Sequence, residues 1–316
     1  ASNFDNYMYP SRYNDEHEMT RFFSFQFISG AEVVSNVDWN VKSEMIDADG
    51  VIYGVIPESD NQLNELLEII KSTSKGCERH IFVIPKHFKD IKDVAREYAA
   101  VMHLRDQAVD DPVLFDEYEV VFEDLQEIIK GFIGSYTHPE GCRSIYIRDG
   151  QVLSVHRKSG LTEVMSQICD KVYSLTPVIN NESVNKNEIT SIAQNSRNKI
   201  ISALLRGELE PNLGLSGTGQ EVSIMRSTLL RTGVWNEDGG VPQVNLHPTD
   251  PAMRNMMETI ENFILESRQK GRLSFAVLYE RMTSPDYHIG LRYGLIPIYL
   301  AAVMHNHRQQ TVINDR

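Results

Sequence analysis

Gly50-Val-Ile-Tyr-Gly-Val-Ile-Pro57 and His80-Ile-Phe-Val-Ile-Pro85 are two short apolar runs, each closed by a proline. Neither alternates apolar with polar side chains, the pattern of strands covered on both faces. Between them, Leu63-Asn-Glu-Leu-Leu-Glu-Ile-Ile70 spaces its apolar residues as an amphipathic helix does, with Ser59 or Asp60 to cap it and Gly76 to stop it. Residues 91–104 repeat the helical spacing. Strand, helix, strand, helix with unalternating strands predicts an α/β fold, a small parallel sheet with crossover helices, firmest between residues 50 and 105.

Outward from this centre, Arg21-Phe-Phe-Ser-Phe-Gln-Phe-Ile28 reads as a further strand and residues 112–132 as a long acidic helix. Ser144-Ile-Tyr-Ile-Arg148 and Gln151-Val-Leu-Ser-Val155, joined by Asp149-Gly150, predict a hairpin. From Leu161 the texture turns helical, with helices over residues 161–173, 188–205 and 220–230. The second of these takes a cap from Asn185 or Asn187. Pro211-Asn-Leu-Gly-Leu-Ser-Gly-Thr-Gly219 is a loop by composition, and residues 236–250 form a connection. A helix over 251–269 opens a last unit, followed by helices over 274–282 and 293–304 and a strand at Thr311-Val-Ile313. That order is winged-helix-like, without its wing. The expected domains are an α/β domain (1–160), a helical connector (161–240) and a helical, winged-helix-like C-terminal unit (241–316). The strand signal at the very end, and a first ten residues without an evident core role, make the chain read as a fragment of a longer protein.

Composition bounds the function. The chain has 316 residues, 41 % hydrophobic and 24 % charged, as a chain with a proper core requires. No apolar run approaches the roughly 20 residues of a membrane-spanning helix, so no membrane partner is expected. Residues 1–20 are polar and carry no secretory signal. Three scattered cysteines, Cys77, Cys142 and Cys169, make no disulfide framework and no paired thiolate ligands, which points to a reducing compartment, the cytoplasm. The net charge is −13, and residues 101–130 set nine acids against Arg105 and Lys130. That stretch repels a duplex phosphate backbone.

Four groups of residues invite a chemical reading. Gly214-Leu-Ser-Gly-Thr-Gly219 has the glycine spacing of a phosphate loop, but Gln220 and Glu221 stand where lysine and a magnesium-binding hydroxyl are needed. It reads as a loop leading into the next helix. Arg197, Arg226 and Arg231, with Lys199, make the least acidic part of the chain. Arginines so placed can reach the γ-phosphate of a nucleotide bound by another domain, or else form a solvated or salt-bridged helix face. Asp110, Asp111, Asp116, Glu117, Glu123 and Asp124 can be a hard-cation site of nuclease type, or simply an acidic helix face. Thr176-Pro-Val-Ile-Asn-Asn-Glu182 reads as turn and capping chemistry, with ligand contact as the alternative. His305 with His307, and His138 with Cys142, read as isolated pairs. No hydrolase elbow, zinc-protease or dinucleotide motif is present, so no catalytic residue is assigned.

Tyr13-Asn-Asp-Glu-His-Glu-Met-Thr-Arg-Phe-Phe23, Thr176-Pro-Val-Ile-Asn-Asn-Glu182 followed by Asn195-Ser-Arg-Asn-Lys199, and Gly290-Leu-Arg-Tyr-Gly-Leu-Ile-Pro297 together resemble parts of the large P-loop ATPases of bacterial phage-defence islands, of the BREX ATPase-subunit type. The resemblance implies a region outside the Walker motifs, with ATP and magnesium bound by the parent protein and none evident in this chain. It also implies partners: the ATPase domain of the same or a neighbouring subunit, and other defence-system proteins. The expected function is therefore a non-catalytic regulatory or interaction region that couples nucleotide state to assembly or DNA engagement. The alternatives are a metal-dependent, nuclease-like enzyme using the acidic run, and a DNA-binding module through the C-terminal unit, for which Arg292, Arg308 and Arg316 are few.

Overall fold

The computed structural model describes residues 6–35 and 38–309. The chain divides into two compact units, residues 1–10 with 21–168, and residues 11–20 with 169–316. In chain order the first elements are β1 (Tyr7–Met8), α1 (Ser11–His17), β2 (Phe23–Ser29), α2 (Gly30–Val34), α3 (Trp39–Ser43), β3 (Gly50–Ile56), α4 (Leu63–Thr73) and β4 (His80–Pro85). Then come α5 (Lys92–Gln107), α6 (Pro112–Thr137), β5 (Ser144–Arg148) and β6 (Gln151–Leu153).

The six strands of the first unit form one sheet in sequence order. β2, β3 and β4 are parallel, with Phe23 opposite Gly50 and Val51 opposite His80. β1, β5 and β6 run antiparallel to their neighbours, so the sheet is mixed where the sequence predicted a parallel one. The reason is in the connections. A parallel neighbour needs a crossover, supplied by α2 and α3 and then by α4; the two-residue Asp149-Gly150 turn can only reverse the chain. Between β4 and β5 the chain leaves and re-enters at one end of the sheet, pairing Pro85 with Ser144.

β3 is buried on both faces. Val51, Tyr53 and Val55 pack with Trp39, Leu66, Ile70, Phe82 and Ile84. Towards the other face, a Cβ on Gly54 would come within 2.8 Å of the Phe25 ring, so glycine there makes room for the aromatic layer. Phe27 meets Tyr136 edge-on at 5.0 Å, and the Tyr136 hydroxyl donates to the Val55 carbonyl at 2.9 Å. β1 gives the first residues a role the sequence did not show: Tyr7 and Met8 pair with β2, and Met8 is buried.

α5 is the helix expected over 91–104, but it is not a crossover. It folds against α6 as an antiparallel arm with a small core of its own, Val101, Phe122 and Leu125. Tyr98 stacks on Phe122, and the Arg105 guanidinium lies 4.0 Å from that ring while bonding Glu119. Along α5 only Val101 is fully buried, too little apolar surface to cover a sheet face.

α7 (Lys158–Val172) spans the division between the units in sequence. The second unit then contains α8 (Ser191–Leu204), α9 (Gln220–Met225), β7 (Trp235–Asn236), β8 (Gln243–Val244), α10 (Pro251–Lys270), α11 (Phe275–Thr283) and α12 (Ile296–His307). α8 is capped by Thr190, whose hydroxyl accepts from the Ala193 amide, later than the asparagines expected. α1 belongs to this unit: Tyr13 donates to the Tyr173 carbonyl at 2.9 Å, and Arg12 pairs with Asp170. One apolar core runs from Ile179 to Met304, so residues expected in a connector and in a terminal unit share it. Its centre is α12, where Ile296, Ile298, Tyr299, Ala301, Ala302 and Val303 are all buried. The strand expected at 311–313 lies outside the described residues, and among those residues no helix is long and apolar enough to cross a membrane.

Two measurements test these packing claims. Arg21 and Asp49 form an ion pair at 2.7 Å that is 1 % and 5 % exposed. Arg21→Ala removes the counter-charge of a buried carboxylate and is expected to cost about 3–5 kcal/mol, read from urea unfolding. His80, 1 % exposed, shares a hydrogen bond with Ser43, and burial pushes its pKa down from 6.5 to about 4. The unfolded chain therefore binds the extra proton first. The contribution is complete above pH 6.5 and is lost as pH falls towards 4. The stability of the wild type relative to His80→Phe should fall by about 1–2 kcal/mol from pH 7 to pH 5.

Candidate anion-binding site

The loop before α9 is not a phosphate loop. It starts from a short 3-10 turn, Pro211–Gly214, and not from a strand. Asn212 and Leu213 have φ of 51° and 55°, Gly214 and Gly217 of 68° and 81°. Where lysine would reach a phosphate, the Gln220 side-chain oxygen accepts from the Ser196 hydroxyl. Glu221 is tied to Lys199 at 2.8 Å, and that bond holds its carboxyl below the usual range.

The helix beyond this loop is irregular. α9 continues directly into a π-helical turn, Arg226–Leu230, closed by the Arg231 amide donating to the Arg226 carbonyl at 2.9 Å. In a regular α-helix residues five apart point roughly 140° away from each other. A π-turn closes after five residues and brings them back towards one side. The carbonyls it loosens find side-chain donors. Thr228 O accepts from the Tyr299 hydroxyl at 2.8 Å and from Thr232 Oγ1 at 2.6 Å, and Leu229 O accepts from Thr232 Oγ1 at 3.1 Å. Asn181 locks the turn from another segment, with its Nδ2 donating to Ser227 Oγ at 2.9 Å. Its Oδ1 accepts from the Ser183 amide.

Arg226 and Arg231 are both exposed on the wall of a cleft of about 430 Å³, with Asn180, Thr218, Gly219, Ser223 and Ser227. Among the described residues neither guanidinium has an ion-pair or hydrogen-bond partner. The Asn180 amide at the cleft is held by Glu18 at 2.8 Å. Hydroxyls, an amide and two unneutralised guanidinium groups make a polar, cationic surface suited to an oxyanion such as phosphate.

Arg197 is elsewhere. It is half-buried on α8, donates to the Gly294 carbonyl at 3.2 Å, and burial lowers its pKa. The structure therefore brings Arg226 and Arg231 together and leaves Arg197 supporting the chain ahead of α12. Lys199 lines a second cleft of about 420 Å³ with Arg206, Asn195 and Asn198, but both its cations are matched: Lys199 by Glu221 and Arg206 by Glu210 at 3.4 Å. Charge separates the two clefts.

Several of the remaining candidates have local partners. Asp111 caps α6 by accepting from the Leu114 amide, and among the described residues no three His, Cys, Asp or Glu side chains converge as metal ligands. In the 176–182 segment, Thr176 bonds the Ile289 carbonyl and Asn181 bonds Ser227, while Asn180 lines the cleft. His305 faces the Leu204 carbonyl at 2.7 Å and His307 faces Glu261 at 2.9 Å, so the two imidazoles diverge. Sequence reasoning chose the two arginines but missed the π-turn that pairs them. The only trace in the sequence is their five-residue spacing together with Thr228 and Thr232, which read equally as ordinary helix.

Tyr299→Phe removes one of the two donors to Thr228 O inside the core and is expected to cost about 1–2 kcal/mol. Chemical denaturation measures this, and an unchanged midpoint would show that Thr232 alone satisfies the turn. Comparison with protein families, with curated proteins and with solved structures finds no match to this chain, so the site rests on its own geometry.

Proposed function

We propose that this chain is a non-catalytic regulatory or interaction region of a larger P-loop ATPase of the phage-defence type. In this reading Arg226 and Arg231 contact the phosphates of ATP bound with magnesium in the ATPase domain of the same or a neighbouring subunit. One observation carries the proposal: two exposed guanidinium groups, unneutralised among the described residues, are set on one π-turn beside a polar cleft. Both charges line the same cleft, where an incoming polyanion can pair with either. Such a contact works in trans, as an arginine finger does, and requires no phosphate loop here. The π-turn is bonded to α12 through Tyr299 and to the 176–182 segment through Asn181, which gives the contact a route for coupling. Three free cysteines, two of them buried, accord with a cytoplasmic protein.

Engagement of DNA through a winged-helix-like C-terminal unit is the less supported reading. α11 and α12 follow one another as the helices of such a unit do, but α12 is enclosed by the core and offers little surface to a groove. Arg292 donates to the Thr20 carbonyl and Arg308 to the His305 carbonyl, while Arg316 lies outside the described residues.

The test is ATP hydrolysis by the intact ATPase carrying Arg226→Ala, Arg231→Ala or both, with nucleotide-dependent binding of this chain to the ATPase domain measured in parallel. A loss of about tenfold or more in hydrolysis or in nucleotide-dependent affinity is expected. Wild-type values in both assays for the double variant would remove the proposal.

A further inference from the structure

Along α6 the residues Leu114, Glu117, Val121, Asp124 and Ile128 recur at spacings of three, four, three and four. That is the seam of a coiled coil, with apolar side chains at one seam position and carboxylates at the other. The apolar members are 37 %, 40 % and 42 % exposed, and both carboxylates are exposed without an ion-pair partner among the described residues. The seam is not the face that holds the arm together, since Phe122 and Leu125 do that against α5. At 1.5 Å per residue the seam extends for roughly 21 Å, enough to receive a helix of about four turns.

We infer that this seam of α6 is a docking surface for an amphipathic helix of another protein, one whose own seam alternates apolar with basic residues. The charge pattern selects that partner. A second copy of this chain would set Glu117 and Asp124 against their own kind, and carboxylates without a counter-ion at a helix contact are a strong penalty against pairing. A lysine or arginine seam turns the same positions into cross-helix ion pairs and lets its long methylene stems cover Val121 and Ile128. Asp116 and Glu123 on the same helix extend the negative field and speed encounter with such a helix. This surface is independent of the arginine cleft, so either can stand without the other.

The experiment uses the full chain and two synthetic 21-residue helical peptides, one with a leucine–lysine seam and one with a leucine–glutamate seam, read by fluorescence anisotropy at physiological salt. The lysine peptide should bind saturably at one per chain, and the glutamate peptide should not bind. Val121→Ser with Ile128→Ser should weaken the lysine peptide at least tenfold. Glu117→Lys with Asp124→Lys should reverse the preference and gain the glutamate peptide, a result that a misfolded variant cannot give. Equal binding of the lysine peptide by the serine variant means mere charge attraction and overturns the inference. So do failure of the lysine peptide to bind, and sedimentation showing a dimer that the serine variant dissolves.

Discussion

Strand β3 has no face to spare for water: Val51, Ile52, Tyr53 and Val55 are each at most 3 % exposed, and a layer on either side is obligatory. Trp39, Leu66 and Ile70 supply one layer, the aromatic side chains of β2 and the end of α6 the other. The requirement fixes the neighbours as well. Gly54 has to stay small under Phe25, and the Tyr136 hydroxyl has to reach the Val55 carbonyl, which anchors the last turn of α6 to the sheet. Because only that end of α6 is needed for the core, the rest is released to build the arm with α5.

The second unit obeys the same rule with a helix in place of a strand. α12 is enclosed on nearly all sides, and its most deeply buried polar group, the Tyr299 hydroxyl, needs an acceptor. It finds one at Thr228 O, a carbonyl the π-turn has loosened. Core satisfaction and site geometry are therefore one arrangement. The bond that keeps a buried phenol paired also supports the turn that sets Arg226 and Arg231 on the same side. A helix irregularity of this kind persists only where its loosened carbonyls are re-bonded, and Thr228, Thr232 and Ser227 all contribute to that.

Electrostatics then divides the surface. Several cations among the described residues are matched locally, as Lys199 with Glu221, Arg206 with Glu210 and Arg281 with Glu266 show. Arg226 and Arg231 stand out because two cations without a partner among the described residues line one cleft. The α6 seam stands out for the opposite reason, with carboxylates set in a line of apolar side chains. A cleft lined by two unpaired guanidinium groups and a helix face with unpaired carboxylates give the described surface two patches of opposite charge.

The sequence by itself determined the elements whose physics is local. Unalternating runs at 50–57 and 80–85 announced buried strands, Asp149-Gly150 announced a hairpin, and the apolar spacing of 63–70 announced α4, whose start it matched and whose end it placed three residues early. It also singled out Arg197, Arg226 and Arg231 as the least acidic part of the chain, without showing which of them share a cleft. It could not show α2 and α3, five residues each and too short for any periodicity, nor that α5 leaves the sheet to pair with α6. Strand direction was decided by where each connection re-enters the sheet. The site was decided by a π-turn whose stability comes from Tyr299 and Asn181, residues 71 and 46 positions away in the chain from the groups they bond. Hydrogen bonds to distant partners leave no period in a sequence, so only the tertiary structure could set two arginines side by side and send the third elsewhere.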